Sequence, residues 1–75
     1  MSMKDRYNHI VTFMIYGGDE LLCYYEINIS EQDSTILTID ELEKAREIAV
    51  CDSKQKYLQS EDIGAIFLSH MVTKE

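Results

Sequence analysis

The chain contains no proline, three glycines and two cysteines among its 75 residues. Without stretches rich in proline, glycine or serine, no part of it reads as a linker or as low in complexity, and no internal repeat divides it. A length of 75 residues then bounds it to a single domain spanning 1–75. Cys23 and Cys51 allow one disulfide, fewer than small secreted domains usually carry, so both are expected as reduced thiols in a cytoplasmic protein. No run approaches the ~18 consecutive apolar residues of a membrane span. The N-terminus, Met1-Ser2-Met3-Lys4-Asp5-Arg6, is charged and lacks the apolar stretch of a signal peptide.

Positive charge is also scarce. Seven Lys and Arg stand against fourteen Asp and Glu, for a net charge of −7. Affinity for nucleic acid comes largely from Lys and Arg neutralising phosphates, so this balance argues against direct nucleic-acid binding. It argues equally against anionic membrane surfaces. It favours a protein partner with a basic surface, or serves only to keep a small protein soluble. A chain this short buries only about 60% of the surface its unfolded form exposes, and its core supplies about 3–5 kcal/mol net. Little stability is left over for a deep pocket, which weighs against an enzyme.

The residues that are present describe an α+β domain. Tyr7 to Tyr16 and Glu20 to Ile29 are rich in β-branched and aromatic residues, and Gly17-Gly18-Asp19 between them signals a hairpin. A two-residue turn would set Phe13 opposite Leu22. A three-residue loop sets Tyr16 opposite Glu20. The second register places Tyr7, His9, Val11, Phe13 and Ile15 on one face with Leu21, Cys23, Tyr25, Ile27 and Ile29. It leaves Ile10, Met14, Tyr16, Leu22 and Tyr24 on the reverse face, and is preferred because it segregates apolar from polar better. Beyond a polar connector, Ser30 to Ser34, Thr38 followed by Glu41 has the spacing of a capping box. Leu42, Ala45, Ile48 and Ala49 follow at helical spacing, predicting a helix from Ile39 to Asp52 that frays towards Tyr57. Gln59 to Gly64 reads as a loop and Ala65 to Thr73 as a third strand. A short helix capped by Ser60, with Ile63, Ile66, Phe67 and Met71 as its stripe, is the rival reading of that segment. The expected architecture is ββαβ: a three-stranded sheet, antiparallel or mixed, with one helix on one face.

No catalytic, metal or cofactor motif stands out. His9, His70, Cys23 and Cys51 lack the spacing that lets one turn hold two metal ligands. Cys51 near a helix C-terminus has no activating dipole, and Cys23 falls mid-strand. Gly17-Gly18 does not open a helix and so is not a phosphate cradle. Two surfaces remain. Asp40, Glu43 and Glu47 share one helix face and could meet Lys and Arg of a partner; as a merely solvated face they would be eased by pairing of Asp40 with Lys44 and Glu43 with Arg46. The reverse face of the hairpin, with Tyr16, Leu22 and Tyr24, is too apolar for a fully solvated sheet surface. Either the C-terminal segment folds over it, or it meets a protein partner or a second copy of the chain.

The run Leu37-Thr38-Ile39-Asp40-Glu41-Leu42-Glu43-Lys44-Ala45, followed by Ile63-Gly64-Ala65-Ile66-Phe67-Leu68, resembles in outline a group of small proteins of phages and other mobile elements. These include a phage inhibitor of host RNA polymerase and several anti-CRISPR proteins. The likeness covers roughly Val11 to Val72. It implies a non-enzymatic mode of action in the host cytoplasm: occupying the basic surface of a protein that handles nucleic acid. The other expectation is a homodimeric accessory domain built on the hairpin face.

Overall fold

The computed structural model describes residues 5–75; the sequence reading made on Met1 to Lys4 lies outside them. The elements run β1 (Tyr7–Gly17), β2 (Glu20–Gln32), α1 (Ile39–Lys56) and β3 (Ile63–Lys74). The sheet has the order β2-β1-β3, and β1 pairs antiparallel with both neighbours. This is the expected ββαβ arrangement, and the last segment is strand, not helix. It extends the sheet at the edge and does not fold over the reverse face.

The hairpin closes differently from the preferred register. Gly17 pairs with Glu20, leaving Gly18-Asp19 as a two-residue turn with φ +62° at Gly18. A positive φ at the first turn position alone fits a type II′ hairpin, where glycine carries no steric cost. The register then shifts between Ile15, opposite Cys23, and Tyr16, opposite Leu21, so that Leu22 is the extra residue of a bulge. The bulge restores the expected alternation beyond it, so Cys23, Tyr25, Ile27 and Ile29 share the face of His9, Val11, Phe13 and Ile15. It exchanges the two leucines, however. Leu22, expected on the reverse face, packs against the core beside Gly17 and Ile63, while exposed Leu21 pairs with Tyr16.

Val11, Phe13 and Ile15 on the central strand are fully buried against Ala45 and Ala49 of α1 and Ala65 of β3. Phe13 meets the ring of Phe67 edge-on, centroids 6.4 Å apart. The helix begins where the capping box places it: Glu41 N donates to Thr38 Oγ1 at 3.2 Å, and Thr38 N donates to Glu41 Oε1 at 3.4 Å. Its contact line is Ala45, Ala49 and Ser53, small side chains that let the helix lie close to the sheet. Ile48, which helical spacing places on that line, is exposed instead. Buried Ser53 fixes a further turn, and its carbonyl accepts from Tyr57 N at 2.8 Å, so the helix reaches Lys56 before it ends.

Candidate functional site

The helix covers one face of the sheet, and among the described residues nothing covers the other. The strand pairings set the chemistry of that open face row by row. Nearest the hairpin tip, Leu21, Tyr16 and Gly64 lie side by side; next come Tyr24, Met14 and Ile66; then Glu26, Thr12 and Ser69; then Asn28, Ile10 and Met71. The second row is wholly apolar and the third wholly polar. Tyr24, Ile66 and Met71 are exposed by 61, 52 and 58%. The apolar surface is thus concentrated in the tip half of the face, and a polar row separates it from Ile10 and Met71. This division depends on both strand registers and had no signal in the linear sequence.

The tip beside that patch is acidic. Gly18 N donates to the Asp62 carbonyl at 3.4 Å, tying the turn to the loop before β3 and gathering Asp19, Glu20, Glu61 and Asp62 at one end of the molecule. Asp62 takes a positive φ of 54°. An open hollow of about 550 Å³ runs from Tyr16 and Ile66 past Asp19, Asp62 and side-chain-free Gly64 to Arg46.

Of the residues singled out by sequence, Tyr16 and Tyr24 lie on this patch and Leu22 does not. Asp40, Glu43 and Glu47 are all exposed, on the side of α1 turned from the sheet. A helix is about 10 Å thick, so the stripe stands well beyond one Debye length, about 8 Å, from the open face. One flat partner cannot touch both surfaces. Glu43 accepts from Arg46 at 2.7 Å, and that bond, then its charge, holds the guanidinium more firmly protonated. Asp40 has no such cation among the described residues.

The histidines, widely separated in sequence, do meet. His9 is buried, with Nε2 2.7 Å from the Ser34 carbonyl and Nδ1 2.7 Å from Nε2 of His70. The rings are 6° from parallel with centroids 4.9 Å apart. The short nitrogen contact and the two ring radii account for that separation end to end, so the rings lie side by side and not face to face. The carbonyl can only accept, which assigns the His9 proton to Nε2. In that tautomer His9 accepts at Nδ1 and His70 donates from Nε2. The pair pins the β2–α1 connector to the sheet. Antiparallel pairing of β1 with β3 brings the two residues together, and spacing along the chain could not reveal it.

Cys23 and His9 share the helix side of the sheet but sit opposite Ile15 and Ile29, some 20 Å apart at ~3.3 Å per residue. Cys23 lies instead beside Tyr57, whose phenol is pushed above the ordinary tyrosine range, chiefly by hydrogen bonding with the thiol. Cys51 is exposed on α1. No group of three His, Cys, Asp or Glu converges as a metal site among the described residues.

Tyr25 on the helix side donates its hydroxyl to Asp52. That bond, then burial, then the Asp52 charge, raises the phenol above its ordinary value. A raised folded value stabilises the fold below the unfolded tyrosine pKa of about 10, and the contribution is lost as pH climbs through the raised value. Asp52→Asn is expected to move the Tyr25 titration, followed by its ring NMR signals, to lower pH. An identical titration in both proteins would show that Asp52 does not hold the proton.

No described helix is long and apolar enough to cross a membrane. Comparison of the chain with family models, curated proteins and solved structures finds no match.

Proposed function

We propose that this domain is a protein-binding inhibitor or adaptor of the phage or mobile-element kind, acting in the host cytoplasm. It would use the tip half of its open sheet face to cover a basic surface of a nucleic-acid-handling protein. The observation that carries the reading is the uncovered row Tyr24–Met14–Ile66, with Tyr16 and Leu21 above it, lying directly beside the acidic tip. Tyr and Met are enriched at the buried centres of interfaces, and acidic groups at the rim speed encounter with a basic partner. The patch binds by shape and charge and needs no cofactor.

This assigns different work to the two acidic regions. Asp19, Glu20, Glu61 and Asp62 border the contact, whereas Asp40, Glu43 and Glu47 act only through the long-range field. The test is affinity capture from a bacterial lysate at low and high salt, followed by association rates with the protein retained. A salt-sensitive nucleic-acid-binding protein is expected. Asp19→Lys combined with Glu61→Lys should slow its association by roughly tenfold and flatten the salt dependence. Glu43→Lys with Glu47→Lys should do markedly less. If the helix pair has the larger effect, the contact lies on α1 and the open face is not the site.

A further inference from the structure

The outer edge of β3 has no neighbour among the described residues, and its chemistry differs from that of the other edge strand. Along β2, Glu20, Glu26 and Glu31 place carboxylates on the edge, and Glu31 turns out of line with φ +57°. Charges of this kind keep a free edge from pairing with other strands. Between Ile63 and Thr73, β3 contains no Asp, Glu, Lys, Arg or Pro. Its exposed apolar residues also lie on both sides of the sheet. Ile66 and Met71 are on the open face; Phe67 and Val72, opposite Phe13 and His9, are on the helix side. A partner resting on the open face covers only the first pair. A strand laid alongside β3 covers both.

We infer that this strand is β3 of a second copy of the chain, paired antiparallel about a two-fold axis to give a six-stranded sheet. The register between β1 and β3 slips at Leu68, between the pairs Thr12–Ser69 and Phe13–Phe67. The extra residue shifts the alternation of faces by one, so that in full overlap every pair outside the central Leu68–Ser69 pairs joins residues of the same face. Ile66 stands against the second copy's Met71 on the open side, and Phe67 and Ala65 against its His70 and Val72 on the helix side. An unbulged strand of 12 residues in the same overlap would set each side chain against one from the opposite face.

Charge points to the same occupant. Two copies at −7 repel over most of their surfaces, but β3 itself has no charged side chain from Ile63 to Thr73, and Arg46 of α1 brings a cation beside Ala65 and Ile66. Full overlap brings each Lys74 beside the other copy's Ile63, next to its Asp62. The two-fold axis sends the two acidic tips to opposite ends of the sheet. Pairing adds on the order of ten main-chain hydrogen bonds. The arrangement leaves both open faces accessible on one side, so it is independent of whether those faces bind the proposed partner.

Sedimentation equilibrium of the full chain tests it, together with residue-resolved amide exchange. The expected mass is twice the 8.7 kDa of one chain. In a lone edge strand only the amides facing β1 are protected, in alternation; in the dimer, successive amides of β3 are protected. Leu68→Lys, at an exposed position, should weaken the dimer by about tenfold or more, while Tyr24→Arg on the open face should leave it intact. A monomer at every concentration with alternating protection overturns the inference. So does a dimer that Tyr24→Arg dissociates and Leu68→Lys does not, since the copies would then meet through their open faces.

Discussion

Replacing Phe13 by alanine is expected to leave a chain that no longer folds cooperatively at room temperature. Phe13 is fully buried on the central strand, packed between α1 and the ring of Phe67. Truncating a buried phenylalanine costs about 3–5 kcal/mol, because the apolar contacts go and the cavity closes only in part. The core of a domain this short supplies about 3–5 kcal/mol net. The loss takes nearly all of it. The three alanines that complete the cluster, Ala45, Ala49 and Ala65, have no side-chain reach to fill the gap. Urea unfolding followed by circular dichroism should show a sharp transition in the parent protein and a broad or absent one in the variant. Phe13→Leu, which conserves more of the volume, should retain the transition at a lower midpoint. A variant within about 1 kcal/mol of the parent would mean that the core does not depend on this ring.

Tyr24→Arg should do the reverse. Tyr24 pairs with Met14 in the middle of the apolar patch and is 61% exposed. Its substitution should leave the unfolding transition within about 0.5 kcal/mol of the parent. If it anchors the proposed contact, losing a central aromatic and adding a cation against a basic surface costs at least about 2 kcal/mol of binding, roughly thirtyfold in affinity. Binding of the captured partner, measured by titration calorimetry, checks this. An affinity within about twofold of the parent would exclude the tip half of the face. Leu22→Arg offers the contrast. Because Leu22 packs towards the core through the bulge, its substitution should lower stability as well as any binding.

The sequence made the elements legible where local rules act. Alternation from Tyr7 to Ile15 identified the buried face of β1, and Thr38 with Glu41 marked the helix start to the residue. It failed where a feature depends on two segments meeting. The bulge at Leu22 converts a two-residue turn into the alternation expected of a longer loop, and no propensity marks which leucine is the extra one. The His9–His70 bond and the grading of the open face both arise from how β1 registers with its neighbours. Ile48 was misplaced because helical spacing alone does not say that Ala and Ser line the contact. Tyr16 and Tyr24 were legible as site candidates because they stand on the apolar reverse face. The acids beside them were not, since Asp19-Glu20 and Glu61-Asp62 are forty residues apart along the chain and joined by a fold contact.

The polar row Glu26–Thr12–Ser69 constrains how such a domain could evolve. Selection for tighter binding would reach it first, because one apolar replacement at Glu26 begins to fuse the tip patch with Ile10 and Met71. The fused surface would be as adhesive towards newly made copies as towards a target, so gains in affinity would be offset by losses to aggregation during synthesis. If the open face binds as proposed, variation that improves recognition is expected at the tip and in the rows around Tyr16 and Tyr24, with the middle of the face held polar by the cost of aggregation.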